Sequence, residues 1–558
     1  MIKLLPDSMS KNTLLLIAIL GLALFLRIWG IGYGLPSFLI NDERTLIYTA
    51  LKMGELKTLI PAFHPQEFGI TYYGLLMSYI YLFFLAPFIL IQYLFGNFAD
   101  FTELGNYFIL NPGPIWLVAR IVNALIGLAA VYLIYLVGKK IFNHWVGLIS
   151  ALFLTFSFLH VQFSHFTRLW VPTIFFVCLI MLLSSYIYKN PRRKHYLLMG
   201  VVGGLSFGAN FAASAALAIF FIAHFLNSGV SFWEKLRDKN LWLTAVVFIV
   251  LAAIFVLLFP QLFLGWTGME HLDKVLKVNR SFTGFLQAFW AYGKVSIFYE
   301  PVILIFSLLG LIFLWFRSKK NFLIFLSWPV VWISFIYFIL QTGFREPTPH
   351  YIMVILPWLI ILAGAAAYSL VKKFSPTVKI ILLILIFLYP AATVFQYDYL
   401  LTKKDTRILA KDWIEGNIPA GAKIISNWSY INPTPTKKAI LLQKEIDGSS
   451  LRAADYALLD LSDEKYPGPA YNILKLAYID KTKWPELQNY SYFLIAFWQD
   501  DELSPDEISL IGKAELIKEF KQSQAAEPEN IHGNILFGPI YSLFSLERLG
   551  PTVRIYKL

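Results

Sequence analysis

Residues 1–399 alternate between apolar runs long enough to cross a bilayer and short clusters of lysine and arginine. Lys3 and Lys11 precede the first run. Later clusters are Lys139-Lys140, Lys189 with Arg192-Arg193-Lys194, Lys235-Arg237-Lys239, Arg317 with Lys319-Lys320, and Lys372-Lys373. Positive residues stay on the cytoplasmic side, so each cluster predicts an inner loop and the runs between clusters must come in pairs. They do, at about 142–160 and 170–188, 197–211 and 212–228, 241–260 and 299–317, and 321–341 and 350–371, with a bend expected near Asn210. A last span at about 377–397 carries the chain outside. Ile70–Phe95 is also apolar, but if it crossed, every later basic cluster would change sides. Its tyrosines, Tyr72, Tyr73, Tyr79 and Tyr81, suit an interfacial or re-entrant segment within a large outer loop, 31–113. The pattern predicts about 11 transmembrane helices, N-terminus inside.

The pattern changes near Asp405. "DTRILAKDWIEGNIP" reads as a helix, and "AKIISNW", "YALLDLS", "YFLIAFW" and "TVRIYKL" read as strands. Residues 400–558 are therefore expected to form an extracytoplasmic α/β domain behind a membrane domain, 1–399. No Gly-rich phosphate loop or nucleophile elbow appears in it.

Composition narrows the class. Only 15% of residues are charged, mean hydropathy is +0.61, and the net charge of +12 collects in the inner loops. That distribution marks a multi-pass protein of the cell membrane rather than a nucleic-acid binder. A single cysteine, Cys178, excludes an intrachain disulfide framework and a thiolate zinc site. The first helix lacks a small-residue cleavage site and reads as an uncleaved signal anchor.

The candidate chemistry gathers in the outer segments. Asn41-Asp42-Glu43 lies a dozen residues past the first span and opens an amphipathic helix, Arg44 to Leu56. Two readings of Asp42 stay open: a helix cap, or a base held beside the lipid headgroups. Arg120, Arg168, Arg345 and His350 stand at outer boundaries, where they either snorkel or receive an anionic group. "FREPTPHY" places Arg345 and His350 in one short loop. Glu43, His64 and His165 are candidate ligands for a divalent cation, Mg2+ or Mn2+, and Glu270, with His271 and Asp273, a candidate acceptor contact. Satisfied interface histidines and a solvated face are the plainer readings of those last residues.

These residues resemble, in order, the protein O-mannosyltransferases and the aminoarabinose transferases of lipid A, which are C-type (GT-C) membrane glycosyltransferases. The resemblance rests on Asp42-Glu43, His64-Pro65, Arg120, "ARIVNALIGLAAVYLIYLVGKKIF", "FSHFTRLWVP", "PTPHYIMVILP" and "LERLGPTVRIYKL". It implies a hexosyl- or pentosyltransferase that takes a sugar from a polyprenyl-phosphate donor, with inversion, on the outer face of the membrane. The acceptor would be a protein hydroxyl, a lipid or an envelope glycan. Asp42 would be the base, Glu43 its neighbour in the site, and the cations above the donor-phosphate ligands. Two departures stand out: Trp170 occupies the usual position of an aspartate, and "GLSFGANFAAS" lacks a lysine found in many relatives. The rival classes are a transporter or flippase of lipid-linked sugars and a silent scaffold of the same fold.

Overall fold

The computed structural model describes residues 11–37, 39–40, 43–69, 71, 73–226, 230–264, 281–337, 349–427, 431–447, 451, 453–475, 489–498, 503–512, 514–523 and 540–558. The chain divides into two compact units. One comprises Met1–Ile31, Asp42–Pro87 and Val118–Phe395; the other comprises Gly32–Asn41, Phe88–Leu117 and Gln396–Leu558.

The first unit is helical. In chain order its leading helices are α1 (Lys11–Ile28), α2 (Glu43–Glu55), α3 (Leu75–Phe95), α4 (Phe101–Leu110, in the second unit), α5 (Gly113–Ile141), α6 (His144–Thr155), α7 (Phe158–Ser164), α8 (Trp170–Lys189) and α9 (Arg193–Ala209). Among the described residues six helices are long and apolar enough to cross a membrane, or seven if the pair α6 and α7, bent by 60°, is one broken span. Four shorter apolar helices, Phe211–Leu226, Pro301–Arg317, Asn321–Phe335 and Leu356–Val371, add to them. The chain is a multi-pass membrane protein whose expected spans are in several places broken or short. The segment 70–95, expected at the interface, contains one 21-residue helix, α3, with the length and hydropathy of a span.

Local chemistry explains the breaks. Asn210 ends α9 and caps the next turn, its Oδ1 accepting from Ala212 N at 3.1 Å while its Nδ2 donates to Thr173 Oγ1 at 2.9 Å. The expected bend thus falls at Asn210. Before it, Gly200, Gly204 and Gly208 form a small-residue stripe along α9. A Cβ at Gly200 would lie 2.8 Å from Thr244 O, so the stripe lets α9 and the helix Lys239–Leu258 approach backbone to backbone.

The second unit is built on a five-stranded mixed sheet. Its strands are β1 (Lys423–Ser426), β2 (Asn472–Lys475), β3 (Tyr492–Phe497), β4 (Glu515–Phe520) and β5 (Thr552–Lys557), in the order β2-β1-β3-β5-β4. β1 runs parallel to β2 and β3, while β5 is antiparallel to β3 and β4. The two-residue period of the strands sorts two cores. Ile424, Ile473, Leu494, Val553 and Ile555 face Ala410 and Ile414 of the helix Thr406–Asn417. Ile425, Leu474, Phe493, Ile495 and Tyr556 face Ile446, Leu510 and Ile511. "YALLDLS" is a correction: the expected strand is the helix Ala453–Asp460, because alanine and leucine dominate it and no β-branched residue favours extension. That helix packs on α4, and Lys465 reaches Glu103 of α4 at 3.6 Å. α4 therefore belongs to one compact unit with the C-terminal domain.

An acid–arginine corner opens this domain. Asp405 caps the helix Thr406–Asn417, accepting from Arg407 N at 2.8 Å, and the Arg407 side chain grips both its oxygens at 2.8 Å. Tyr33 donates to the same carboxylate at 2.5 Å. Gly550 (φ +114°) passes so close that a Cβ there would strike Thr406 Oγ1 and Asp405 Oδ1, while Thr406 binds Leu549 O and Pro551 O.

Candidate active site

The first helix turn of α2 carries Glu43, and Glu43 is buried. Arg120 of α5 meets it with a fork: Nε donates to Oε1 and Nη2 to Oε2, both at 2.7 Å. Arg120 Nη1 donates to Ile31 O at 2.8 Å, and the guanidinium lies over Phe166 at 5.1 Å. Thr167 closes the arrangement, its N–H donating to Glu43 Oε1 and its hydroxyl to Glu43 O, both at 3.1 Å. With side-chain exposures of 0% and 1%, the pair gains Coulomb energy but loses most of it to desolvation. Its value lies in placement: it fixes the residue that follows Asp42 against α5 and the segment before α8.

One face of α5 makes this possible. Asn123, one turn beyond Arg120, donates to Phe163 O at 3.0 Å and Phe166 O at 2.6 Å. One turn further, a Cβ at Gly127 would lie 2.7 Å from Ser164 Oγ, so only glycine lets α7 come this close. The same short helix is held from other sides. Arg27 of α1 bridges Leu154 O at 3.0 Å and His160 Nδ1 at 2.6 Å. Both ring nitrogens of His165 face main-chain carbonyls, Val161 O at 2.9 Å and Trp29 O at 3.0 Å. Glu300, which opens the helix Pro301–Arg317, accepts from Ser157 Oγ at 2.6 Å and Leu159 N at 3.0 Å.

The other sequence candidates are distributed as follows. Asp42, Arg345 and Glu270 lie outside the described residues. His350 is half-buried and stacks on Trp170, with ring centroids 4.4 Å apart, while Tyr351 meets Trp170 edge-on at 5.4 Å. Arg168 is buried over Phe163 at 5.5 Å and lies within electrostatic reach of His350. His64 is exposed at the end of the turn Pro61–Phe63. Among the described residues no three His, Cys, Asp or Glu side chains are grouped to hold a metal ion. Glu43, His64 and His165 therefore do not gather as a cation site; Glu43 is held by Arg120 and His165 by two carbonyls. Sequence reasoning missed Thr167, Asn123, Arg27, His160 and Glu300. Glu300 alone had a visible signal, a carboxylate set immediately before a proline and an apolar run.

Residues 113–259 match the family model described as dolichyl-phosphate-mannose-protein mannosyltransferase. No curated protein matches the chain. Among solved structures, the oligosaccharyltransferase of Archaeoglobus fulgidus in the apo form is 13% identical, with a TM-score of 0.46, over 87% of this chain and 69% of that one. The archaeal oligosaccharyltransferase AglB from the same organism, in complex with an inhibitory peptide and a dolichol-phosphate, gives 12%, 0.45, 87% and 69%. ArnT from Cupriavidus metallidurans bound to undecaprenyl phosphate gives 11% and 0.44 over 98% of both chains. The matched segment holds Arg120, Asn123 and Thr167, and over it the resemblance to C-type membrane glycosyltransferases drawn from the sequence stands.

Proposed function

We propose that this chain is a membrane glycosyltransferase that moves a sugar from a polyprenyl-phosphate donor to an acceptor hydroxyl on the outer face of the membrane. The observation that carries the reading is the buried Glu43–Arg120 pair, locked by Thr167. Arg120 and Thr167 lie inside the segment that matches the mannosyltransferase family, and Glu43 follows Asp42 directly in the chain.

Asp42 takes the proton of the acceptor hydroxyl as its oxygen attacks the anomeric carbon. The new C–O bond forms on the face opposite the phosphate, the old C–O bond breaks, and its electron pair leaves with the lipid phosphate. The phosphate is already a good leaving group and needs cations to receive its charge. Arg345, His350 and Arg168 serve that role in this reading. Arg120 has a different part, because its fork already grips a carboxylate. In this reading the first loop and the C-terminal domain both belong to the outer side, where the domain receives the acceptor.

The test is purified protein in lipid nanodiscs given dolichyl-phosphate mannose, the donor chemistry named by the matched family. Release of dolichyl phosphate together with a mannosylated acceptor is expected. Movement of intact donor between leaflets without sugar release would replace the reading with a flippase.

A further inference from the structure

The geometry points to Glu300 as a positioning residue for the acidic site, acting through α7 on Thr167. The inference rests on the transferase reading for its effect on turnover, and on geometry alone for the rest.

Glu300 is buried at 6% exposure, and Ser157, Phe158 and Leu159, on one short stretch of another part of the chain, bond its carboxylate. Ser157, the residue before α7, donates its hydroxyl to Oε1 at 2.6 Å and receives His160 N at 3.3 Å. Leu159 N donates to the same oxygen at 3.0 Å, and Phe158 N also bonds the carboxylate. The first amide groups of a helix have no partner within it, and here a carboxylate from a distant helix supplies one. A carboxylate in the membrane interior without such donors would be costly, so its place is specified by the contact it makes.

From that clamp a short, rigid path leads to the site. α7 has seven residues. At its far end Asn123 holds Phe163 O and Phe166 O, and His165 ties Val161 O to Trp29 O. Thr167 follows immediately and donates to both the carboxylate and the carbonyl of Glu43. Every connection along the path is hydrogen-bonded, and all but the His165–Trp29 contact are buried. A shift at the start of α7 therefore reaches Thr167 instead of dissipating in solvent. Misplacement of about 1 Å by a remote change can cost roughly a hundredfold in rate.

Glu300→Ala removes the clamp; Glu300→Gln keeps an oxygen that accepts the same bonds. Hydrogen exchange of residues 158–168 reads the clamp without any activity. It should rise roughly tenfold or more in Glu300→Ala, the effect of leaving buried donors without their acceptor, and stay near the parent in Glu300→Gln. Turnover of dolichyl-phosphate mannose reads the consequence. Glu300→Ala should lower kcat about tenfold to a hundredfold with little change in donor KM, and Glu300→Gln should recover most of it. In a cycle with Thr167→Val, the double variant should be no slower than the worse single variant, since both cut one path. If Glu300→Ala does not accumulate, Ser157→Ala takes its place in both measurements. Unchanged exchange at 158–168 overturns the proposal, as does a well-folded Glu300→Gln as slow as Glu300→Ala, or additive losses in the cycle. A parent protein that releases no sugar, with the exchange pattern as expected, refutes the transferase reading and leaves the clamp standing.

Discussion

Among the described residues two acid–arginine pairs are buried, and they differ in what they tie together. Glu43 and Arg120 are 77 residues apart and join the start of α2 to α5 and to Thr167. Asp405 and Arg407 are two residues apart and close a single corner, with Tyr33 and the turn at Gly550 packed on it. Both are bidentate, both are nearly inaccessible, and the bond lengths are within about 0.1 Å of each other. The chemistry of a buried ion pair thus says little about its role; the difference lies in the chain segments it brings together. The local pair finishes a helix cap. The distant pair fixes Glu43, the residue that follows the base of the proposed transferase reading.

The comparison breaks most sharply at Asp42. Asp42→Asn keeps size and capping ability and loses only proton acceptance. The variant should fold, bind donor and transfer sugar at least about a hundredfold more slowly. Normal turnover by a well-folded Asp42→Asn would return that residue to a cap, the role Asp405 has.

Next in size is Glu43→Gln, which leaves the Arg120 guanidinium buried without its anion. A loss of about 3–5 kcal/mol is expected, read as a lowered thermal midpoint. Adding Arg120→Met should return part of that stability and none of the turnover. Recovery of both together would make the pair a structural strut like the other.

Asp405→Asn should cost less, about 1.5–3 kcal/mol, because asparagine still caps the helix and still accepts from Arg407. Turnover per folded molecule should not change, which a titration of active protein against thermal midpoint would show.

The smallest effect is at Tyr33. Tyr33→Phe should cost about 1 kcal/mol at neutral pH, the loss of one hydrogen bond. Burial, and then the charge of Asp405, push the Tyr33 phenol well above its ordinary value. The folded state thus holds the proton longer than the unfolded chain does. The stability this provides is complete below pH 10 and falls as pH rises beyond it. The gap between parent and Tyr33→Phe should therefore shrink above pH 10; a gap that widens there would remove Asp405 as its cause.

What could be read in the sequence follows the range of the interactions involved. Short apolar runs with β-branched and aromatic residues in "AKIISNW", "YFLIAFW" and "TVRIYKL" identified three strands, because such residues suit an extended backbone buried on both faces. β2 and β4 went unread: one is four residues long and the other alternates weakly, so neither carries a strong pattern. "YALLDLS" was misjudged because a short apolar run does not by itself separate strand from helix, and its alanine and leucines, with no β-branched residue, favour the helix. Asn210 was legible, since a polar residue must interrupt an apolar run for a local reason. At the site, Glu43 and Arg120 each stood out as a charge at a membrane boundary, yet nothing in either segment names the other as partner. Thr167, Asn123 and Glu300 act through contacts 40 to 143 residues away, and a single sequence carries no trace of such pairings.

The strand order also sets a schedule for biogenesis. Among the described residues β4 pairs only with β5, and β5 lies between β3 and β4. Until Thr552–Lys557 has left the ribosome, β4 lacks that partner and one edge of β3 stays open. An unpaired edge is where chaperones bind and where sheets from different chains join by mistake. The membrane helices can insert one after another as they are made, whereas the sheet must wait for its inner strand. A cell making this protein in excess should accumulate inserted chains with an unfinished C-terminal domain, and proteases would find them there first.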